Sequence, residues 1–267
     1  MQFAKKILAR FPRLKLLLKT LYYRLKGIPP VSDSEISKEL MRECIGREAP
    51  TILEIGCNDG TNTLWFLEIF ETPKVYCFEP DPRAIARFKS KVGQRSNIDL
   101  FEIALSDRNG EVTFHQSGGQ LDDELNKVMP EGWDLSGSIR RPKEHLRVHP
   151  WVTFDQKITV ATSTLDTWCE KHGIGAIDFI WMDVQGAEID VFNGGKKTLA
   201  NTRYLYTEYD NSELYEGQWN LRQLMKYLKD FDFEVLIRYP GDVLFRNKQF
   251  VGAHKELVQK RTSSLGK

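Results

Sequence analysis

The sequence of 267 residues has little of what would mark a secreted, metal-binding or membrane-spanning protein. Its four cysteines (Cys44, Cys57, Cys77 and Cys169) show no close metal-ligand spacing, so we expect free thiols in a reducing cytoplasm rather than disulfides or a zinc site. No run reaches the roughly 20 apolar residues that a membrane-spanning helix needs. The absence of internal repeats excludes a solenoid.

Acidic residues are missing from residues 1–27, which hold eight cations and no acid. The whole chain carries a formal net charge of +1, so the remaining residues carry about −7. Because this larger part of the chain is acidic, nucleic acid is a poor candidate for the substrate.

Residues 1–30 form a basic arm in which large apolar side chains recur every three or four residues. Those side chains are Phe3, Ile7, Phe11, Leu14, Leu18, Leu21 and Leu25. The pattern predicts a cationic amphipathic helix, bent at Pro12. Two interpretations stay open: peripheral association with an anionic inner membrane surface, or docking on the domain or on a second subunit. A cleaved signal peptide fits poorly, because basic residues interrupt every apolar core.

Strands and helices alternate from Thr51 onward, which predicts an α/β fold with a mostly parallel sheet of seven strands. The last two strands, Phe233–Tyr239 and Val243–Arg246, are separated by a turn sequence and predict an antiparallel hairpin. A helix from Glu35 to about Gly46, capped by Asp33 or Ser34, precedes the sheet. Residues 251–267 form a polar tail.

Residues 115–157 contain no clear pattern and are too many for a passive connection, so we expect an inserted substrate lid. The later part of this range is rich in basic and histidine side chains, namely Arg140, Arg141, Lys143, His145, Arg147 and His149. These groups favour an anionic acceptor, such as a nucleotide sugar, a phosphorylated lipid or an acidic glycan. Solvated loop charges are the alternative.

A nucleoside site is predicted where the first two strands end. Gly56 and Gly60 follow the first strand, where glycine allows a positive φ and lets a ligand approach the backbone closely. Glu79 follows the second strand, where its carboxylate can accept hydrogen bonds from a ribose diol. A dinucleotide fingerprint would need another glycine where Asn58 and Asp59 stand. An acidic loop suits the sulfonium of S-adenosylmethionine better than a pyrophosphate. An ordinary strand–turn–helix unit with an incidental Glu79 is the alternative.

Acids also follow three other predicted strands. Asp107 follows the third predicted strand, Ile98–Leu105, and is a candidate partner of the adenine amino group, or else part of a plain turn. Asp183 stands at the carboxyl end of the strand Ile177–Met182, the edge where open α/β sheets bind ligands. Glu208 and Asp210 stand at the end of the next strand.

Taken together, the motifs of the chain resemble the FkbM family of S-adenosylmethionine-dependent methyltransferases. The matching segments are Thr51–Gly60, Phe78–Pro80, Ala104–Phe114, Thr164–Asp166 and Ile177–Glu188. The resemblance covers about residues 50–240 and implies a Rossmann-like methyltransferase domain, placed at residues 31–250. It further implies an O-methyltransferase acting on sugar hydroxyls of polysaccharides, glycolipids or secondary metabolites. The cofactor residues it implies are Glu54, Gly56, Asn58, Gly60, Glu79, Asp107 and Asp183.

Two departures from the family pattern bear on the site. Glu54 stands where the family usually has aspartate, which is a conservative change. Gln185 stands where glutamate is more frequent, and this change removes a charge beside the expected centre. We therefore assign Gln185 no catalytic role.

A sugar hydroxyl is a weak nucleophile, so a base or a metal ion is expected to assist its attack. Asp183 is the first candidate for the base, with Glu208 and Asp210 orienting the acceptor. These three acids are also candidate ligands of Mg²⁺. His115 and His145 are alternative bases.

Two other functional classes are weighed against a methyltransferase. A non-catalytic glycan- or nucleotide-binding subunit is disfavoured by the intact Gly56, Gly60, Glu79 and Asp183. A nicotinamide-dependent dehydrogenase is disfavoured by the missing glycine and the terminal hairpin.

Overall fold

The computed structural model describes residues 29, 31–32, 35–119 and 132–250. The predicted basic arm, apart from residue 29, and the predicted polar tail lie outside the described residues, and both stay predictions. Within the described ranges, no helix has both the length and the apolar content to cross a membrane.

The described strands are β1 (Thr51–Ile55), β2 (Lys74–Phe78), β3 (Ile98–Phe101), β4 (Ala104–Leu105), β5 (Gly110–Gly119), β6 (Val152–Ser163), β7 (Ile177–Met182), β8 (Thr202–Glu208), β9 (Phe233–Arg238) and β10 (Asp242–Asn247). Seven of them form one sheet in the order β3-β2-β1-β7-β8-β10-β9. The first five strands in that order run parallel, whereas β10 is antiparallel to both β8 and β9. The predicted α/β fold with an antiparallel terminal hairpin is confirmed.

The described α-helices are α1 (Lys38–Ile45), α2 (Thr61–Ile69), α3 (Pro82–Val92), α4 (His145–Val148), α5 (Leu165–His172), α6 (Glu188–Asn193), α7 (Lys196–Ala200) and α8 (Leu221–Leu228). A 3₁₀ turn follows at Lys229–Phe231. Successive strand residues point to opposite faces of the sheet, so β1 supplies a core on each side. Leu53 packs into one buried cluster with Ile180, and Ile52 packs into the other with Phe179.

The beginning of α1 differs from the prediction. The helix begins at Lys38 rather than Glu35, because the Ser37 hydroxyl accepts a hydrogen bond from the amide of Leu40 at 3.2 Å. A serine in this position supplies an acceptor for one of the free amides of the first turn. Asp33 and Ser34, the predicted caps, lie outside the described residues.

A second sheet, in the order β4-β6-β5, corrects two strand predictions. The single strand expected over 98–105 is split, with β3 in the main sheet and β4 paired with β6. Residues 115–119 and 152–157, expected within an irregular lid, belong to the long antiparallel pair β5 and β6. Pairing between segments so far apart in the chain depends on tertiary context, which local sequence patterns do not report.

Candidate active site

The turn after β1 packs tightly against neighbouring strands. The amide of Gly56 donates to the carbonyl of Phe78 at 2.9 Å, and Gly56 has a φ of 85°. A Cβ at this position would lie 1.8 Å from the carbonyl oxygen of Asp183. The sequence suggested that glycine admits a ligand here. In the structure the space is taken by the end of β7, so the glycine also sets the approach of Asp183 to the turn.

Gly60 is crowded by a helix in a similar way. It has a φ of 79°, and an added Cβ would lie 2.4 Å from a methyl group of Val92 on α3. Gly60 is absent from the lining of the main cavity described below. Its conformation therefore serves the packing of the turn against α3.

Glu79 is held by two backbone donors at the end of β2. Its carboxylate accepts from the amide of Asn58 at 2.8 Å and from the amide of Asp81 at 2.9 Å. Burial raises the pKa of Glu79 to about 8, although these two hydrogen bonds act to lower it. The end of β2 is thus hydrogen-bonded to the turn that follows β1.

A cavity of about 600 Å³ opens at the carboxyl ends of β1, β2, β7 and β8. Six of the predicted site residues line it: Gly56, Asn58, Glu79, Asp183, Glu208 and Asp210. Part of its wall is apolar and includes Phe78, Ile103 and Leu105. A cavity with apolar walls and a few convergent polar groups suits a nucleoside-bearing cofactor.

Two further predicted cofactor residues lie elsewhere. Glu54 is fully buried beneath the turn, where one carboxylate oxygen accepts from the Thr63 hydroxyl and the other has no hydrogen-bond partner. Asp107 is half-exposed and lines a separate surface groove with Arg108 and Arg141. The structure therefore does not bring either side chain to the main cavity.

Asp183 and Glu208 share an amide donor. The Gln185 amide nitrogen donates to Asp183 at 2.7 Å and to Glu208 at 2.9 Å. The Tyr215 hydroxyl donates to the Ser136 carbonyl at 2.7 Å and lies 3.2 Å from the Gln185 amide oxygen. This arrangement, called the acid network below, comprises Asp183, Gln185, Glu208 and Tyr215.

The two carboxyl groups of the acid network differ in proton affinity. Burial raises the pKa of Asp183, while hydrogen bonds from Gln185 and Glu208 counteract that effect. Burial raises the pKa of Glu208 well above its ordinary value, and the adjacent charge of Asp183 raises it further. The hydrogen bond between the two acids lowers the pKa of Asp183 and raises that of Glu208, which favours the ionised form of Asp183.

Gln185 is the residue that sequence reasoning missed. It was assigned no catalytic role because it lacks a charge, yet its amide joins the two acids. Its backbone has a φ of 51°, a conformation that residues other than glycine seldom adopt. A polar side chain two residues after the strand-end Asp183 was the only available signal in the sequence.

The acid network does not fit the predicted Mg²⁺ site. Asp210 lines the cavity, but its carboxylate accepts from the amide of Ser212 at 2.6 Å. Among the residues that the structure describes, no group of three or more histidine, cysteine or acidic side chains could hold a metal ion. The Gln185 amide, a donor, stands between the two carboxylates where a cation would need acceptors.

The two histidines predicted as alternative bases lie in different places. His145 lines the main cavity, and burial lowers its pKa to about 4. Its ring is 5.4 Å from that of Tyr215, centroid to centroid. His115 is on β5 and lines the separate groove, and burial lowers its pKa too.

Residues 132–151, called the inserted segment, run along the cavity. Backbone hydrogen bonds and an ion pair hold this segment against the rest of the domain. Ser138 pairs with His115 through backbone hydrogen bonds of 2.7 and 3.1 Å. The Arg140 guanidinium holds both carboxylate oxygens of Asp190, at 2.6 and 2.8 Å. The amide of Lys143 donates to the carbonyl of Leu214 at 2.7 Å. The segment thereby forms one wall of the cavity.

Three of the six side chains expected to attract an anionic acceptor are paired with acids instead. Arg140 is paired with Asp190, Lys143 with Glu213 at 2.6 Å, and Arg147 with Glu144 at 2.8 Å. None of these three cations lines the main cavity, whereas His145 and His149 do. The structure therefore does not support an anionic acceptor on the basis of these residues.

Burial of Glu54 leads to a prediction about stability. Burial raises the pKa of Glu54 to about 8 from an ordinary value of about 4.5. A carboxyl group with a raised pKa in the folded state stabilises the fold only while it is protonated, and this contribution is lost as the pH rises from 4.5 to 8. Between pH 5 and pH 8 the wild type should therefore lose about 3–5 kcal/mol of its free energy of unfolding through this group, and Glu54→Gln should not.

Urea unfolding at the two pH values measures this difference. Glu68→Gln is the matched control, because Glu68 is exposed and forms only a surface ion pair with Lys38. A Glu54→Gln effect that does not change with pH would show that the buried carboxyl group is not the source.

Comparison with known proteins gives a consistent family assignment. Residues 54–235 match the model of the methyltransferase FkbM domain. The chain is 47% identical over 222 residues to the 2-O-methyltransferase NoeI of Sinorhizobium fredii (strain NBRC 101917 / NGR234), covering 82% of this chain and 87% of that protein.

Solved structures are more distant. Fibrillarin of Aeropyrum pernix in complex with S-adenosyl-L-methionine is 15% identical with a TM-score of 0.40, over 76% of this chain and 68% of that one. An rRNA methylase from Streptococcus thermophilus is 12% identical with a TM-score of 0.39, over 80% and 99%. Similarity at this level does not indicate the substrate or the mechanism of this chain.

Proposed function

Because this chain belongs to the FkbM methyltransferase family, we propose that it transfers a methyl group from S-adenosylmethionine to a hydroxyl group of a sugar. The chain is an S-adenosylmethionine-dependent methyltransferase. The name of its relative, a 2-O-methyltransferase, supports an oxygen acceptor and directs attention to the hydroxyl at position 2. The observation that carries the proposal is the acid network, which places a buried carboxylate at the end of β7 beside the turn of β1.

The cofactor would be held at the end of β1 and β2. Asn58 and Glu79 line the cavity there and are hydrogen-bonded to each other. The buried Glu79 offers carboxylate oxygens to a ribose diol, as expected for the second strand of such a sheet. The apolar wall at Ile103 and Leu105 suits a flat heterocycle. The bound cofactor supplies a methyl group on a positively charged sulfur.

Asp183 is the proposed general base. The hydroxyl oxygen of the acceptor would form the new bond to the methyl carbon while the carbon–sulfur bond breaks and the sulfur keeps its electron pair. The hydroxyl proton would pass to the Asp183 carboxylate. The amide of Gln185 stabilises the ionised form of Asp183 and fixes its direction. Glu208 keeps its proton because its pKa lies higher, so the pair does not hold two negative charges in contact.

Replacing Gln185 should change the pH dependence of the reaction. The Gln185 hydrogen bond lowers the pKa of Asp183, so its loss in Gln185→Ala raises that pKa. The acid limb of kcat/KM should therefore move to higher pH. At a fixed pH on this limb, we expect activity to fall about tenfold, the effect of one charge-assisted hydrogen bond.

Gln218→Ala is the matched control, since Gln218 also lines the cavity but contacts the amide of Tyr215 rather than an acid. An unchanged pH profile in Gln185→Ala would contradict the role given to this amide.

The proposed acceptor class is tested with labelled cofactor. Purified full-length protein is incubated with methyl-labelled S-adenosylmethionine and a panel of glycosides, each paired with its 2-deoxy analogue. We expect label on at least one glycoside and none on its 2-deoxy partner. Label on protein, RNA or a phenol, with none on any glycoside, would refute the sugar acceptor while leaving the methyltransferase assignment intact.

A further inference from the structure

The inserted segment exposes an unusual amount of apolar surface. Of the five large hydrophobic side chains that are exposed in the described ranges, four belong to this segment: Leu135, Leu146, Val148 and Trp151. Trp151 is 44% exposed although it also lines the cavity. Leu135 also lines the cavity, and exposed apolar side chains that continue a cavity wall are typical of a binding surface.

Aromatic rings run along the cavity from the acid network towards this apolar surface. The Tyr215 ring is 5.4 Å from that of His145, and the His145 ring is 4.9 Å from that of His149. Trp151 lies two residues further along the chain, and its ring is 4.9 Å from that of Trp133. All five side chains line the cavity, and they are called the aromatic wall.

The aromatic wall is held in place by polar contacts at both ends. The indole N–H of Trp133 donates to the hydroxyl of Ser136 at 2.9 Å, so its hydrogen-bonding group is already satisfied. The hydroxyl of Tyr215 is bonded to the carbonyl of Ser136 and lies beside Gln185. The rings thus present carbon surfaces to the cavity in a fixed arrangement that starts at the proposed base.

Pyranose rings suit such a surface. The axial C–H bonds of one face of a sugar ring carry a partial positive charge, and the faces of aromatic rings carry a partial negative charge. The ring edges keep their hydroxyl groups for water or for polar neighbours. A nucleotide or phosphate group would instead require cations, but no arginine or lysine of the described residues lines the cavity, and Arg140 and Lys143 of the inserted segment are paired with acids.

We propose that the aromatic wall is a second sugar subsite, which binds the pyranose ring next to the one that is methylated. This inference rests on the proposed sugar acceptor and narrows it to an oligosaccharide or the glycan part of a larger glycoside. The reacting sugar lies at Asp183, and the neighbouring ring stacks on Trp151 and Trp133 towards the opening of the cavity.

The subsite is tested with two acceptors. One is a monosaccharide glycoside that the protein methylates, and the other is a trisaccharide that carries the same sugar as its reacting unit. For the wild type, we expect kcat/KM to be higher for the trisaccharide by about threefold to tenfold, the effect of one or two aromatic contacts. Trp151→Ala should lower this ratio towards one, mainly through a higher KM for the trisaccharide. Its affinity for S-adenosylhomocysteine, measured by calorimetry, should match that of the wild type.

Leu146→Ala is the matched control, because Leu146 is 49% exposed on the same segment but does not line the cavity. It should keep the wild-type ratio. A Trp151→Ala variant that retains the preference for the trisaccharide overturns the subsite and leaves the proposed function standing. An equal loss of the trisaccharide preference in Trp151→Ala and Leu146→Ala also overturns it, since the exposed apolar side chains of the inserted segment would then act without regard to the cavity. A wild type that methylates no glycoside refutes the proposed function itself.

Discussion

Asp183→Asn should reduce kcat for methyl transfer by about 10²- to 10⁴-fold, the usual contribution of a general base. The substitution keeps the shape of the side chain, and its amide oxygen can still accept from Gln185. It removes the carboxylate proposed as the base, whose ionised form is favoured because the contact between the two acids lowers the pKa of Asp183 and raises that of Glu208. Single-turnover rates at saturating cofactor measure the loss.

Asp210→Asn is the control for this substitution. Asp210 lines the same cavity and stands two residues after Glu208, but its carboxylate is bonded to the amide of Ser212 instead of the acid network. We expect its rate to stay within about fivefold of the wild type, which is small against the contribution of a general base. If both variants lose activity equally, the base is not Asp183 alone. If Asp183→Asn keeps more than a tenth of the activity, the proposed role is wrong.

The pH profile gives the same hypothesis a second test. Asp183 must be ionised to accept a proton, and burial raises its pKa. The acid limb of kcat/KM should therefore lie above pH 4, the ordinary range of an aspartate. In Asp183→Asn the residual activity should lack this limb.

Gly56→Ala should destabilise the protein by several kcal/mol, the second large effect we expect. The added methyl group would lie 1.8 Å from the carbonyl oxygen of Asp183, and the residue would have to keep a φ of 85°. Relief of this contact requires β1 and β7 to separate at the point where the cavity begins. Thermal unfolding and calorimetric titration with S-adenosylhomocysteine should show a lower Tm together with weaker binding.

Gly93→Ala separates the steric contact with Asp183 from the unfavourable backbone conformation as causes of the destabilisation. Gly93 also has a positive φ, of 68°, but an added Cβ there would meet nothing within 4 Å. With a ψ of −166° it has a conformation that is essentially restricted to glycine, so Gly93→Ala should cost about 1–3 kcal/mol, less than Gly56→Ala, and should leave cofactor binding unchanged. Equal destabilisation by the two substitutions would show that the contact with Asp183 is unimportant.

The main sheet was predictable from sequence because its strands are buried on both faces. Mainly apolar runs such as Ile52–Ile55 and Ile177–Met182, each interrupted by a single acid, are recognised without tertiary information. Acids immediately after parallel strands must meet at one edge of the sheet, so the proximity of Asp183 and Glu208 followed from topology. Both side chains do line the cavity.

The ribbon of β5 and β6 was predicted only in part, for a physical reason. Each strand is stabilised by a partner across the intervening segment rather than by its own pattern, and both contain polar residues such as Gln116 and Gln156. The ion pair between Arg140 of the inserted segment and Asp190 could likewise not be predicted from the sequence. Arg140 and Asp190 are 50 residues apart, and only the fold brings them together.

Two site residues were misjudged because their roles depend on contacts. Gln185 has no charge, so its importance appears only when its amide is seen between two acids. Gly56 was read as an opening for ligand, whereas the atom nearest to its missing side chain belongs to Asp183. The positive φ expected of Gly56 is present, at 85°, and only its contact with Asp183 could not be predicted from the sequence.

The central claim, transfer of a methyl group to a sugar hydroxyl, is tested most directly by the structure of the product. The protein is incubated with S-adenosylmethionine that carries a ¹³C-labelled methyl group and with an accepted oligosaccharide, and the product is examined by two-dimensional NMR. We expect a labelled methyl ether whose protons correlate with carbon 2 of one sugar ring, formed about 10²- to 10⁴-fold more slowly with Asp183→Asn. A label found on nitrogen, on a carboxyl group or on no acceptor at all would contradict it.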